Sequence, residues 1–201
     1  YALFRAWWRP FIRYGVIPGD PHLGNYSVYR GPDGKAAGVN LYDFGCVRIF
    51  PPRFVEGVVE LYRGLLSDDR PRVVAAYRNW GFRGLTDELV DVMNVWARFI
   101  YAPILDDRVR TVADGVAPSE YGRREACRVH LALKPKGPVT VPQDFVFMDR
   151  AAIGLGSVFL HLGTKLNFHR IFNEALDGFS LEALTERQSA ALDRVGLPRP
   201  E

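Results

Sequence analysis

Cysteine is scarce in this chain of 201 residues: Cys46 and Cys127 are the whole complement, far apart and outside any Cys-x-x-Cys pair. That spacing excludes a zinc ribbon, a redox motif and a small disulfide scaffold, and it makes a reducing compartment the default expectation. Charge of one sign is lacking too, since 26 Lys plus Arg stand against 23 Asp plus Glu for a net charge of +3. So slight an excess does not single out nucleic acid, and none is expected as a partner. The most apolar stretch, 151–163 (AAIGLGSVFLHLG), runs for 13 residues before Lys165 follows. A bilayer span needs roughly 20, so no spanning segment is expected. The opening YALFRAWWRPFIRYG has no basic start, apolar run or small-residue cleavage site of a signal peptide. Beginning at Tyr1, the chain reads as a piece of something longer.

What is present suits one globular domain over 1–201. Hydrophobic residues make up 48% and charged residues 24%, a balance that buries roughly 70% of the unfolded surface at this length and excludes disorder or collagen-like repetition. No internal repeat, low-complexity tract or domain boundary is visible. Leu3, Phe4, Trp7, Trp8, Phe11 and Ile12 recur at helical spacing up to a capping Gly15, with Pro10 expected to kink or restart the helix. IPGDPHLGN at 17–25 crowds prolines and glycines together and predicts a rigid polar loop. YSVYR (26–30) and AGVNLY (37–42), joined by Pro32-Asp33-Gly34, predict a β-hairpin.

Beyond residue 45 the pattern predicts helices alone. Phe54, Val58, Leu61, Tyr62, Leu65 and Leu66 mark one core stripe, and Leu89, Val92, Met93, Trp96, Phe99 and Ile100 another. Shorter helices are expected over 72–80 and 121–133, the latter ended by a proline-rich, flexible segment over 135–142. A helix pair is expected over 144–176, with Gly154, Gly156 and Gly163 for close packing. Thr185-x-x-Gln188 resembles a capping box opening a last helix. The fold class is therefore mainly α with a small β-hairpin, an α+β chain.

The chemistry concentrates in Asp20, Asn25 and Asp43. A hairpin returns the chain to its start, so Asp43 at its far end comes back beside the loop holding Asp20 and Asn25. Convergent hard oxygen donors suit Mg²⁺, which takes one or two carboxylates and completes its shell with water and phosphate oxygens. In phosphoryl transfer a D-x-x-x-x-N loop supplies an acid for a hydroxyl proton and an amide for metal, and a DFG aspartate holds the metal on the phosphates. Asp20, Asn25 and the Asp43-Phe44-Gly45 run occur in that order. The plain alternative is a turn in which Asp and Asn bond their own backbone; DFG at the hairpin's end is an independent match against it. Phe44 is expected in the core, setting the position of Asp43, and Gly45 in a backbone conformation closed to larger residues.

GDPHLGN followed by LYDFG resembles the catalytic core of the UbiB/AarF family of atypical protein-kinase-like proteins, and DRAAIGLGSVFLHLGTKLNFHRIF is similar to that family's helical tail. The resemblance covers roughly residues 15–175. It implies the C-terminal lobe of a protein-kinase-like fold, with ATP and Mg²⁺ as cofactors. Asp20 takes the catalytic acid role, Asn25 and Asp43 are metal ligands, and Asn25, Asp43 and Gly45 belong to the nucleotide site. It further implies ATP hydrolysis or transfer to a small-molecule or lipid substrate linked to ubiquinone biosynthesis. The location implied is cytoplasmic with peripheral membrane contact open. Departures are Gly19 ahead of the acid, Leu23 where a second proline is often found, and no Gly-rich loop or Val-Ala-x-Lys strand, which would lie upstream. Only seven residues separate Gly45 from the helix near Arg53, too few for a peptide-docking activation loop.

Other readings compete. His22 with Asp20 and Asp43 would make a carboxylate-histidine metal set, although His22 more simply braces the loop. His130, His161 and His169 are expected at the surface or satisfied in the core. Trp7, Trp8, Trp96 and Phe99 are expected in the core, with a lipid pocket as the functional alternative, and 150–170 as a solvated face rather than a membrane patch. At the level of function, a pseudokinase-like lipid-binding module and an aminoglycoside- or choline-kinase-like phosphotransferase stand beside the UbiB-like reading.

Overall fold

A computed structural model describes residues 1–116, 127–129, 131–132 and 141–200. The apolar face of the first helix, α1 (Ala2–Tyr14), buries Leu3, Phe4, Trp7, Phe11 and Ile12. It is one helix with Pro10 inside it, so no restart occurs, and it closes on Gly15 in the left-handed conformation with the Gly15 N–H bonded to the Phe11 carbonyl at 2.8 Å. Strand β1 (Val16–Pro18) follows, then a 3-10 turn (Leu23–Asn25), strands β2 (Tyr26–Arg30), β3 (Ala36–Leu41) and β4 (Val47–Ile49), and helix α2 (Pro52–Leu66). The remaining described helices are α3 (Arg70–Asn79), α4 (Asp87–Tyr101), α5 (Gln143–Leu162), α6 (Phe168–Leu176) and α7 (Leu181–Val195). The chain is mainly α with a small antiparallel β component, as its periodicity predicts. Of the helix expected over 121–133, residues 127–129 and 131–132 are helical; its other residues, His130 among them, and most of the proline-rich segment after it lie outside the described residues.

Two antiparallel pairs form. β2 pairs with β3, Tyr26 opposite Leu41 and Val28 opposite Val39, which is the expected hairpin. β1 pairs with β4, Val16 opposite Ile49 and Pro18 opposite Val47, which corrects the expectation of no strand in 17–25 and none after residue 45. Three-residue strands are too short to show alternation, and Pro18 is tolerated because both strands of a two-stranded sheet are edges. The outer pair continues the hairpin, so β1 runs out, the hairpin turns the chain, and β4 returns beside β1.

Buried residues from α1 to Leu184 of α7 form one hydrophobic cluster. Aromatic rings tie the ribbon to it: Phe50, directly after β4, meets Phe11 edge-on at 5.7 Å and stacks on Phe54 at 4.8 Å, arrangements favoured by the ring quadrupole. Leu66, expected on the buried stripe of α2, is 46% exposed at the helix end. On α4 the buried positions are Leu89, Val90, Ala97 and Tyr101. Trp96, Phe99 and Ile100 are only half-buried, because that side of the helix borders a cavity.

Helix α5 extends the apolar run upstream to Gln143. Among the described residues it is the one helix long and apolar enough to cross a membrane by length and composition, with a mean hydropathy of 1.4. Here it packs Met148, Ala151, Leu155, Val158 and Phe159 into the cluster. Of its three expected packing glycines only Gly154 is closely approached; nothing lies near Gly156, and Gly163 is the left-handed cap. The final helix opens on Ser180, whose Oγ accepts from the Ala183 N–H at 3.1 Å. Thr185 lies inside that helix and donates to the Leu181 carbonyl at 2.7 Å, so the capping box is corrected to an ordinary serine cap.

Candidate functional site

Between the two strand pairs the ladder is interrupted on both sides, by 19–25 on the outgoing strand and 42–46 on the returning one. Two backbone bonds bracket the gap. The Gly19 N–H donates to the Cys46 carbonyl at 2.9 Å, and the Tyr42 N–H donates to the Asn25 carbonyl at 2.9 Å. Asp43, Phe44 and Gly45 therefore lie across from the loop of Asp20 and Asn25, as hairpin geometry requires. Gly19 has a steric reason to be glycine, since a Cβ there would stand 2.5 Å from the Cys46 carbonyl oxygen.

Asp20 and Asn25 are in direct contact. The Asn25 Nδ2 group donates to Asp20 Oδ2 at 3.1 Å and to the Asp20 carbonyl at 3.2 Å. Asp43 faces the same gap from the other strand, but its side chain bonds locally: Oδ1 accepts the Gly45 N–H at 2.7 Å. The structure thus joins two of the three expected side chains and places the third opposite them. Phe44 is 61% exposed, which corrects its expected core role; Asp43 is held by its own turn and the Tyr42 bond instead. Gly45 has no positive φ, so its expected special conformation is corrected as well; a Cβ there would sit 3.1 Å from Asp43 Oδ1.

His22 braces the loop, its Nδ1 accepting the Gly24 N–H at 3.1 Å. Among the described residues no group of three His, Cys, Asp or Glu side chains gathers to hold a metal, so the Asp20, His22 and Asp43 set is not formed. His169 is a satisfied residue, its Nδ1 bonded to the Ile104 carbonyl at 2.8 Å, and His161 is exposed.

Groups outside the motif hold the loop in place. The Trp7 Nε1 donates to the Pro18 carbonyl at 2.9 Å. Pro21 is buried, and its ring would stand 2.7 Å from a Cβ at Gly154 of α5. The Arg48 guanidinium lies over the Phe147 ring at 3.6 Å, a cation–π contact joining β4 to α5. At the foot of the ribbon Gln188 of α7, itself buried, donates through Nε2 to the Tyr14 carbonyl at 2.7 Å and the Phe50 carbonyl at 2.9 Å. Reading the sequence missed these supports. A long-range side-chain bond such as that of Gln188 leaves no local pattern to find.

The donor set fits a hard divalent cation. Asp20 and Asp43 are exposed on the two sides of the interrupted ladder and make no ion pair among the described residues. An amide donating through Nδ2 keeps its oxygen as an acceptor, and Mg²⁺ asks for only one or two carboxylates. No protein-family model, curated protein or solved structure matches this chain.

Proposed function

We propose that this chain is the C-terminal lobe of a UbiB-like atypical kinase or ATPase that works on Mg²⁺-ATP in isoprenoid quinone or lipid metabolism. The observation that carries the reading is the doubly bracketed gap, in which Asp20 and Asn25 stand across from Asp43. Asp20 orients a hydroxyl or water and accepts its proton. Asn25 and Asp43 hold the cation, and the Asn25 N–H₂ end keeps the Asp20 carboxylate in place. When bound, Mg²⁺-ATP supplies the phosphoryl group and the positive charge that offsets negative charge developing on it. The six residues between Gly45 and α2 are Cys46, β4 and the Phe50-Pro51 link. That supports a small or membrane-dissolved acceptor over a docked peptide.

The test is ATP turnover by the full-length protein. Asp43→Asn and Asp20→Asn are each expected to lower the rate by about a hundredfold or more, the scale on which an electrostatic group of an active site acts. Unchanged biological activity in Asp43→Asn would instead favour a lipid-binding module without turnover. Robust phosphorylation of generic protein substrates would contradict the small acceptor.

A further inference from the structure

A cavity of about 430 Å³ lies between α4 and α5, away from the ribbon. Its size is that of a small-molecule pocket, typically about 300–1,000 Å³. Trp96, Phe99 and Ile100 from α4 face Phe145, Met148 and Ile153 from α5 across it. It exists because α5 presents Ala152, Gly156 and Ser157 there, and nothing lies within 4 Å of a Cβ built on Gly156. Ile153, 40% exposed, marks the side open to solvent.

One lining residue carries a charge. Asp149 Oδ1 accepts the Trp96 Nε1–H at 2.9 Å, and among the described residues Asp149 makes no ion pair. A carboxylate offers about four lone-pair sites, so one indole N–H leaves most of its capacity unused. Burial pushes the Asp149 carboxyl up and the Trp96 hydrogen bond draws it back, with no cation contributing among the described residues. A half-buried carboxylate among aromatic rings is costly until it is paired.

We propose that this cavity binds a small hydrophobic amine, its ammonium against Asp149 and its apolar body between Trp96, Phe99 and Ile153. The cation supplies a charge partner, and the Trp96 ring, whose Nε1–H already holds Asp149, offers a face that attracts it. A fatty acid or phosphate would meet Asp149 with like charge, and a neutral hydrocarbon would leave it unpaired. The proposal is independent of the nucleotide reading, and its test contains no nucleotide.

The test is calorimetric titration of the full chain at pH 7 with three probes of one shape: 1-naphthylmethylamine, 1-naphthalenemethanol and 1-naphthoate. The amine is expected to bind at least tenfold more tightly than the alcohol, and the acid most weakly. Asp149→Asn, which keeps an acceptor for Trp96, should lower amine affinity at least tenfold and leave the alcohol unchanged. Gly156→Leu should block amine and alcohol alike by filling the space. Equal binding of the three probes, no binding by any, amine affinity unchanged in Asp149→Asn, or amine binding retained in Gly156→Leu would each overturn the proposal. Should Asp149→Asn fail to fold, the ranking of the probes on the unaltered chain decides.

Discussion

Gly19 shows how one missing Cβ shapes the site. With the Cys46 carbonyl oxygen 2.5 Å from where that atom would stand, Gly19→Ala must push the returning strand away and break the bond that brackets the gap. The expected outcome is a fall of about tenfold or more in divalent-cation affinity, about 1.4 kcal/mol, with helical circular dichroism unchanged. Tyr26 makes the opposite case. Its hydroxyl is buried with no hydrogen-bond partner among the described residues, and burial pushes its pKa up. Removing a buried unsatisfied group relieves its desolvation cost, so Tyr26→Phe is expected to raise stability by about 1 kcal/mol in urea unfolding; an equal loss would contradict that. At this scale the sequence made Asp20, Asn25 and Asp43 legible because oxygen-bearing residues stood out in a Gly- and Pro-rich setting. The exposure of Phe44 was not legible, since an aromatic residue beside a turn carries no mark of which way it faces.

Among the elements, α7 and α5 act on the ribbon from outside it. Gln188 clamps the carbonyls that flank β1 and β4. Gln188→Leu leaves both without that donor and is expected to cost about 2 kcal/mol in chemical unfolding, with the gap loosened as well. Helix α5 also carries a pH-dependent term. The Asp149 carboxyl is held above its ordinary range by burial, with Trp96 opposing. The folded state therefore holds that proton more tightly than the unfolded state, and stability falls as pH rises from the ordinary carboxyl value through the raised one. Asp149→Asn should remove this loss, so that in unfolding curves its stability at pH 7 relative to pH 3 is higher than that of the unaltered chain. The hairpin was legible because Pro32-Asp33-Gly34 separates two strand-like runs. The β1–β4 pair was not, because its register is imposed by the hairpin above it and the aromatic packing of Phe50 below, neither of which is local to either strand.

For the molecule as a whole, amphipathic helices make one hydrophobic cluster that holds an irregular ribbon at its edge. Period and capping residues made most helix spans legible, but the cavity between α4 and α5 was not, because a stripe of apolar residues reads the same whether it meets solid core or empty space. The proposed function rests on the interruption between two strand pairs, which sets Asp20 and Asn25 across from Asp43 where a divalent cation is proposed to bind. Paramagnetic broadening of backbone amide signals by substoichiometric Mn²⁺ tests it most directly. Broadening is expected to concentrate in 19–25 and 42–46 and to be lost in an Asp20→Asn, Asp43→Asn double variant; broadening centred elsewhere, or unchanged in that variant, would contradict a cation site there.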